Sequence, residues 1–216
     1  MAADAVRNLH ATTKTHKMVL VNQFMGRNSG KLTLYGGLAG GCHIILIPEF
    51  PGWTLSGLCE KVKELHDRFG YVMIAINEEL RQKELIERKN QLQALIGEPP
   101  KDSFGHPLLS KELVSYAEIM ANAIESGTGI ESRAQILARI CRSGPPSAYD
   151  VWLGTKMGLR AADLLTSDAS GRVVVVKNGK ITDISMEEIP VGETRSVSRE
   201  EYEDWLALAP IRFPDV

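Results

Sequence analysis

The sequence lacks several features that would assign it to a functional class at once. Its three cysteines, Cys42, Cys59 and Cys141, are scattered without CxxC spacing, which argues against a disulfide framework and against a zinc site. It has no block of like charges, since 25 basic and 27 acidic residues give a formal net charge of -2. No apolar run approaches the ~18 residues of a membrane span, and no apolar signal core follows Met1. These absences favour a reduced, cytoplasmic protein that binds neither nucleic acid nor a membrane.

Segments with two different apolar spacings alternate along the chain. Short apolar or alternating segments predict buried strands at 19–24, 44–47, 71–76 and 133–140. Apolar positions at helical spacing and a run of small residues predict helices at 32–41, 55–69, 81–96, 111–125 and 148–165. Buried strands separated by helices are typical of an α/β domain with a mostly parallel sheet flanked by helices. This is the fold class that we predict.

Two features near the end of the chain set the limits of the predicted domain. Asn178-Gly179, between two β-branched runs, predicts a hairpin. Beyond about residue 189 the sequence is polar and contains proline, with one short amphipathic segment at 200–208. We therefore predict a folded domain at 1–188 and a surface tail at 189–216.

The glycine-rich segment GGLAGG, residues 36–41, has two possible uses. Phosphate-binding glycines occupy the turn before a helix, where backbone N–H groups are free to bind an anion. Here the glycines lie inside the predicted helix at 32–41. They therefore indicate close packing of that helix on the sheet and not a phosphate cradle.

Residues suited to ligand binding or catalysis follow the ends of three predicted strands. Met25-Gly26-Arg27 follows the first strand, Glu78 follows the third, and Arg139 and Arg142 lie at the end of the fourth. In an open parallel sheet, ligands bind outside the carboxyl ends of the strands. We therefore expect these residues to converge on one site. The histidines lie in separate segments without metal-ligand spacing, so the residues predict no metal site.

A cluster of arginines suits a phosphate ligand. Arg133 and Arg139 are six residues apart, which places both on one face of the predicted strand. Planar guanidinium groups bind phosphate oxygens in bidentate fashion, and a carboxylate such as Glu78 accepts hydrogen bonds from hydroxyl groups. Together they suggest a sugar phosphate. The alternative is that each arginine is solvated or paired with a surface carboxylate, which is the commoner role of a single arginine.

Several motifs follow one another in the order of a known family. They are THKMVLVNQFMGRNSGKLTLYGGLAGGCHIILIPEF, IAINEE, DSFGHPLL, TGIESRAQILARICRSGPPSAYD and LGTKMGLRAADLL. Over about residues 2–188 the chain resembles the C-terminal half of 6-phosphofructokinases of the ATP- and pyrophosphate-dependent superfamily. The resemblance implies an α/β fold and a role in glycolysis, namely phosphoryl transfer to the 1-hydroxyl of fructose 6-phosphate.

The resemblance also implies roles for individual residues in catalysis and sugar binding. Met25 and Gly26 would contact the sugar, and Arg27 would lie near the transferring phosphoryl group and offset its charge in the transition state. Glu78 matches the residue that accepts hydrogen bonds from the sugar hydroxyls.

The remaining arginines match the part of the family site that binds the 6-phosphate. Arg133 and Arg142 match two arginines that bind this phosphate, one of which comes from a neighbouring subunit in the family, so a homo-oligomer is implied. Arg139 stands where the family usually has His or Tyr and is assigned to the same substrate site. Glu49 matches a residue of the bacterial inter-subunit effector site, but the basic residues expected before the third strand are replaced. Nucleotide regulation at that position is therefore not expected.

Some parts of the family pattern are not found in these 216 residues. The Gly-rich donor-binding motif, the segment with the catalytic aspartate and most ligands of Mg²⁺ belong to the half that precedes these motifs in the family. Three hypotheses follow. The chain is the substrate-binding half of a phosphofructokinase that uses ATP or pyrophosphate and is inactive alone; it is a non-catalytic sugar-phosphate-binding or regulatory subunit; or it is a decayed fragment that does not fold stably, because its sheet exposes an edge.

Overall fold

The structure is a computed structural model and describes residues 1–96, 103, 114–167, 169–189 and 196–208. The chain divides into two compact units, one formed by Met1–Ser143 with Thr194–Val216 and the other by Gly144–Glu193. The domain boundary that the sequence predicts at residue 189 stays a prediction. The motif DSFGHPLL lies outside the described residues apart from Ser103.

A parallel sheet forms the centre of the first unit. Its strands among the described residues are β1 (Val19–Phe24), β2 (Ile44–Leu46), β3 (Val72–Asn77) and β4 (Ser132–Ile136), in the order β2-β3-β1-β4. β1 pairs in parallel with β3 and with β4, and β2 pairs in parallel with β3. The mostly parallel sheet that the sequence predicts is therefore confirmed. Because all four strands run in one direction, their carboxyl ends lie along one edge.

Helices cover both faces of this sheet. They are α1 (Ala2–His16), α2 (Lys31–Gly40), α3 (Leu55–Phe69), α4 (Lys83–Ile96) and α5 (Tyr116–Thr128). α3 and α5 pack on the face that carries Val21 and Ile74, and α1 and α2 pack on the face that carries Leu20 and Met73. Alternate residues of each strand thus enter two separate apolar clusters, which explains why the strands are apolar on both faces.

The glycines of α2 allow the helix to lie directly on the sheet. A Cβ atom at Gly36 would come within 2.6 Å of Cε1 of Phe24, and one at Gly37 within 2.7 Å of Cβ of Ala75. Both positions lie inside the helix, as the sequence predicts. The structure therefore supports the packing interpretation of GGLAGG.

The fourth strand is shorter than predicted. β4 ends at Ile136, and Ala138–Arg142 form a 3-10 helix instead of the end of a strand. Leu137, the next residue, already has helical backbone angles (φ -75°, ψ -28°), and Ala138 adopts a left-handed backbone with φ 43°. The predicted face shared by Arg133 and Arg139 is therefore wrong. The helix predicted at 111–125 begins at Tyr116, where Ser115 and Glu118 form a capping box, and 111–113 lie outside the described residues.

The C-terminal segment at 196–208 packs on the first unit, although the sequence predicts a surface tail there. It contains α7 (Arg199–Leu208), which overlaps the predicted amphipathic segment. Val197 and Leu206 are buried, and the Tyr202 hydroxyl donates a hydrogen bond to the carbonyl of Ile45 at 2.7 Å. The apolar side chains of this short segment pack at the β2 edge of the sheet. Their burial outweighs the polar composition from which a surface tail is predicted.

The described part of the second unit is a helix and a hairpin, followed by a short 3-10 turn at Met186–Glu188. It contains α6 (Ala148–Thr166), β5 (Arg172–Lys177) and β6 (Lys180–Ser185). The predicted hairpin is confirmed, and Asn178 and Gly179 both have left-handed φ values, 52° and 74°, as a tight type I′ turn requires. Arg160 of α6 and Arg172 of β5 both bind the Asp183 carboxylate, and these hydrogen bonds lower its pKa.

None of the helices in the described ranges combines the length and the apolar character that crossing a membrane requires.

His43 is a buried polar residue beside β2. Its Nδ1 accepts a hydrogen bond from the Met73 backbone N–H at 2.9 Å, and its ring stacks on Phe69 with centroids 5.1 Å apart. Burial, with a smaller effect of nearby His10, lowers its pKa from 6.5 to about 4. The folded state therefore requires a neutral imidazole at this position, because a proton on Nδ1 would remove the acceptor.

We predict that the first unit loses stability on mild acidification because of His43. The pKa is lower in the folded state, so this contribution is fully present above pH 6.5 and is lost as the pH falls from 6.5 to about 4. The variant His43→Asn keeps a side-chain oxygen acceptor near the Met73 N–H but has no group that titrates in this range. Urea unfolding should therefore show a decline between these pH values that is about 1–2 kcal/mol larger in the wild type than in the variant. Parallel pH profiles would contradict this role.

Candidate functional site

The ends of β1 and β3 bring the first two parts of the predicted site together. Phe24 and Asn77, the last residues of the two strands, are in register. Directly beyond them, Oε1 of Glu78 accepts hydrogen bonds from the backbone N–H groups of Gly26 and Arg27 at 3.0 and 3.1 Å. The structure therefore places Met25-Gly26-Arg27 and Glu78 at one point of the carboxyl edge.

The backbone of this turn requires glycine at its first corner. Gly26 has φ 154°, and a Cβ there would lie 2.5 Å from the carbonyl oxygen of Ser29. The next residue, Arg27, has a left-handed φ of 46°, which is unfavourable for a residue with a side chain. Its side chain is exposed and has no hydrogen-bond or ion-pair partner among the described residues. A strained, fixed backbone thus presents an unpaired cation.

Two residues that sequence reasoning did not single out also hold the turn. Asn77 is fully buried, and its Nδ2 donates to the carbonyl of Ser29 at 3.0 Å while its Oδ1 accepts from the Glu79 N–H at 2.8 Å. Arg81 donates to Oδ1 of Asn28 at 3.1 Å. The available signal for Asn77 was a polar residue at the end of an otherwise apolar strand.

The 3-10 helix brings two further arginines to the same region. Cys141 of this helix lies near the Met25 backbone and the Glu78 carboxylate, both of which act on the pKa of its thiol. Burial raises this pKa although the Met25 backbone lowers it, so the thiol stays protonated at neutral pH. Arg139 and Arg142, on either side of Cys141, are exposed and have no side-chain partner among the described residues. The turn, the carboxylate and this helix therefore meet at one edge.

Arg133 does not join this group. It lies in register with Leu20, near the amino end of β4, and its Nε donates to the Glu131 carboxylate at 3.0 Å. The reason is the early end of β4, which leaves Arg139 at the carboxyl edge and Arg133 toward the opposite edge. Within one chain, Arg133 therefore lies apart from Arg139, and its assignment to the substrate site stays a prediction.

A metal centre is not formed by the residues that the structure describes. No group of three histidine, cysteine, aspartate or glutamate side chains among them is able to hold a metal ion. The Glu78 carboxylate is instead engaged with backbone N–H groups. The resemblance assigns most ligands of Mg²⁺ to the half that precedes these motifs in the family, so the Mg²⁺ ion stays a prediction.

The fold and the edge together define a class of protein. A parallel α/β sheet carries a fixed Gly-Arg turn, a carboxylate and two further exposed arginines at its carboxyl edge. Guanidinium groups bind oxyanions, and the second oxygen of the Glu78 carboxylate is able to accept hydrogen bonds from hydroxyl groups. The class is thus an α/β protein whose edge is chemically suited to a phosphorylated, hydroxyl-bearing ligand.

The family follows from comparison with known sequences. The family model described as phosphofructokinase matches residues 1–165. The chain belongs to the phosphofructokinase family. It is 34% identical over 204 residues to pyrophosphate--fructose 6-phosphate 1-phosphotransferase of Dictyoglomus thermophilum, covering 94% of this chain and 56% of that protein. It is 29% identical over 205 residues to ATP-dependent 6-phosphofructokinase of Corynebacterium efficiens, covering 94% of this chain and 55% of that protein. The chain spans about half the length of these curated relatives.

Solved structures show the same fold. Phosphofructokinase from Saccharomyces cerevisiae matches 87% of this chain and 22% of its own with a TM-score of 0.64 at 22% identity. Pyrophosphate-dependent phosphofructokinase from Marinobacter aquaeolei matches 87% of this chain and 45% of its own with a TM-score of 0.63 at 19% identity. The α/β, phosphofructokinase-like fold that the sequence predicts is therefore confirmed.

We predict that Asn77 rigidifies the turn that presents Arg27. Asn77→Ala removes the donor to Ser29, so amide hydrogen exchange should accelerate in peptides that cover 25–30. Asn22 is a matched control, because it is also a fully buried asparagine of the sheet and donates to Leu20 and Ile74 carbonyls at 3.3 Å. Each alanine variant should lose about 1–2 kcal/mol of stability, but only Asn77→Ala should loosen the turn. Equal exchange of 25–30 in both variants would exclude a specific role.

Proposed function

We propose that this chain is the fructose 6-phosphate-binding portion of a phosphofructokinase, which transfers a phosphoryl group from ATP or pyrophosphate to the 1-hydroxyl of the sugar in glycolysis. Its family membership and the names of its relatives support the class of reaction. The observation that carries the proposal is the turn at 25–29, held by Glu78 and Asn77, with exposed arginines beside it.

The two oxygens of Glu78 would have different tasks. Oε1 is occupied by the backbone N–H groups of Gly26 and Arg27, whereas Oε2 accepts no hydrogen bond from the described residues. Oε2 would therefore accept a sugar hydroxyl, while Oε1 keeps the turn closed. Met25 and Gly26 would contact the sugar from the same turn. One carboxylate thus joins substrate recognition to the position of Arg27.

The arginines would divide the phosphate groups between them. Arg27, on the strained turn, would face the phosphoryl group in transfer, where a preorganised charge stabilises the transition state without reorganisation. Arg139 and Arg142, on the 3-10 helix, would bind the 6-phosphate through charge-assisted hydrogen bonds. Their lack of side-chain partners among the described residues leaves their donors available for an anion.

Arg133 would serve a second copy of the chain. It is exposed near the amino end of an edge strand, away from the turn at 25–29. The resemblance implies that one of the phosphate-binding arginines comes from a neighbouring subunit. We assign that role to Arg133, so the functional protein is proposed to be a homo-oligomer. Its proposed location is the cytoplasm.

The donor and the catalytic base would come from polypeptide beyond these 216 residues. The chain covers about half of its curated relatives, and the described residues form no metal cluster for the Mg²⁺ that would accompany the donor. The second unit also exposes large apolar side chains on α6, namely Tyr149, Val151, Trp152, Leu159 and Leu165. Such exposure is unusual for a complete domain and favours an enzyme portion that packs on further polypeptide. Alone, the chain should not catalyse the reaction.

A second candidate function is a non-catalytic sugar-phosphate-binding or regulatory subunit. It is favoured by the first unit, which has two apolar clusters of its own on the two faces of the sheet. The same clusters count against the hypothesis of a decayed fragment. Binding of the sugar phosphate is common to both candidate functions, whereas turnover with a donor-binding half separates them.

We predict saturable binding of fructose 6-phosphate to the chain in calorimetric titration. Arg142→Ala should weaken the affinity roughly 10- to 100-fold, the typical effect of losing a charge-assisted hydrogen bond to phosphate. Arg68→Ala is the matched control, because Arg68 is also a surface arginine and its guanidinium lies over Phe69 at 5.0 Å, at the end of α3. Unchanged affinity in Arg142→Ala would show that this arginine does not bind the phosphate and has only a structural role.

We predict that Arg27→Ala affects turnover far more than substrate affinity. The chain should be joined to a phosphofructokinase donor-binding half and assayed with ATP and with pyrophosphate. Because the charge matters most in the transition state, kcat should fall at least about 100-fold while KM changes less than about fivefold. A change confined to KM would contradict the assigned role. Absence of turnover in the wild-type assembly would favour the non-catalytic subunit.

A further inference from the structure

Glu49 connects two segments that are far apart in the sequence. Its Oε1 accepts hydrogen bonds from the backbone N–H groups of Gly30 and Val197, at 2.9 and 3.0 Å, and its Oε2 lies 3.1 Å from the same Gly30 nitrogen. Gly30 is the N-cap residue of α2 and ends the turn that begins after β1. Val197 is buried near the start of the C-terminal segment at 196–208. One carboxylate therefore bridges the substrate turn and the end of the chain.

The fit at Gly30 is close. A Cβ atom at this position would lie 2.6 Å from Oε2 of Glu49 and 2.4 Å from Cβ of Ile47. Glycine thus lets the backbone N–H reach the carboxylate. The negative charge also lies at the N-terminus of α2, where the helix dipole favours an anion. The bridge is built into the local backbone and does not depend on a flexible side chain at the turn.

The C-terminal segment at 196–208 is also held by contacts that do not involve Glu49. The Tyr202 ring stacks on Phe50 with centroids 4.8 Å apart, and Trp205 packs edge-on against Tyr35 at 4.7 Å. Glu201 accepts a hydrogen bond from the Tyr35 hydroxyl at 2.6 Å. The segment is therefore docked by aromatic contacts, and Glu49 adds the contact that reaches the substrate turn.

We propose that Glu49 is a positioning residue for the turn that carries Arg27, and that docking of the C-terminal segment is coupled to sugar-phosphate binding through it. Glu78 holds the start of the turn, Asn77 holds Ser29, and Glu49 holds Gly30. Only Asn28 and Ser29 separate Arg27 from the residue that Glu49 binds. Glu49, which the resemblance matches to an inter-subunit effector site, thus binds backbone N–H groups of its own chain. The sugar-phosphate part of the inference rests on the proposed function.

Three variants of the full chain test this coupling. Glu49→Ala removes the bridge, whereas Glu49→Gln keeps one side-chain oxygen that accepts from Gly30 and Val197. Glu201→Ala is the matched control, because it removes the Tyr35 hydrogen bond of the same segment and a part-exposed ion pair with Lys31 of α2 at 3.6 Å, but no contact with residues 25–30. Glu49→Ala should weaken fructose 6-phosphate binding at least about fivefold, the lower range of typical coupling between sites. Glu49→Gln should restore most of this affinity, and Glu201→Ala should retain it.

Hydrogen exchange supplies a second readout that does not need the ligand. Glu49→Ala should accelerate exchange in peptides covering 26–30 and 196–208, and Glu201→Ala only in 196–208. Because coupling is reciprocal, saturating fructose 6-phosphate should slow exchange of 196–208 in the wild type but not in Glu49→Ala.

The inference is overturned if Glu49→Ala leaves exchange at 26–30 unchanged, if it loosens both segments without loss of affinity, or if Glu201→Ala has the same effect on the turn. If the wild-type chain does not bind fructose 6-phosphate, the proposed function and the proposed coupling to the sugar phosphate both fail. In that case the exchange of 26–30 still decides whether Glu49 positions the turn.

Discussion

The hydrogen bonds from Gly26 and Arg27 to the Glu78 carboxylate are the interaction on which the candidate site depends. They exist because β1 and β3 are neighbours and end in register, so that the turn after one strand meets the first residue after the other. A carboxylate bound to two backbone N–H groups holds the turn in a left-handed conformation that Arg27 would otherwise avoid. Without this contact the cation would have no defined position.

The rest of the edge extends this constraint over the whole turn. Asn77 binds the carbonyl of Ser29, and Glu49 binds the N–H of Gly30 and the C-terminal segment. Each contact binds a backbone group of the turn, and each comes from a different part of the sheet edge. These contacts hold the turn from several sides, and the proposed role of Arg27 requires such a preorganised position.

The two units differ in how well their apolar side chains are covered. Among the described residues, the first has a sheet with an apolar cluster on each face, whereas the second has α6, the hairpin of β5 and β6 and a short 3-10 turn, and leaves apolar side chains of α6 exposed. Exposed apolar side chains grouped on one helix are typical of a surface that packs on other polypeptide. The phosphofructokinase family, whose curated relatives are about twice as long as the matched region, provides the context in which such contacts are expected.

The sequence by itself determined the strands of the sheet apart from the end of β4, the glycine packing of α2, the hairpin at Asn178-Gly179 and the meeting of Arg27 with Glu78. These follow from local periodicity, from backbone conformations that few residues adopt, and from the rule that parallel strands share one carboxyl edge. Only the tertiary structure decided that Arg133 lies apart, that Asn77 and Glu49 hold the turn, and that 196–208 docks on the sheet. The position of Arg133 follows from where β4 begins and ends, whereas the other two outcomes depend on hydrogen bonds between segments 19 to 148 residues apart, which no local pattern encodes.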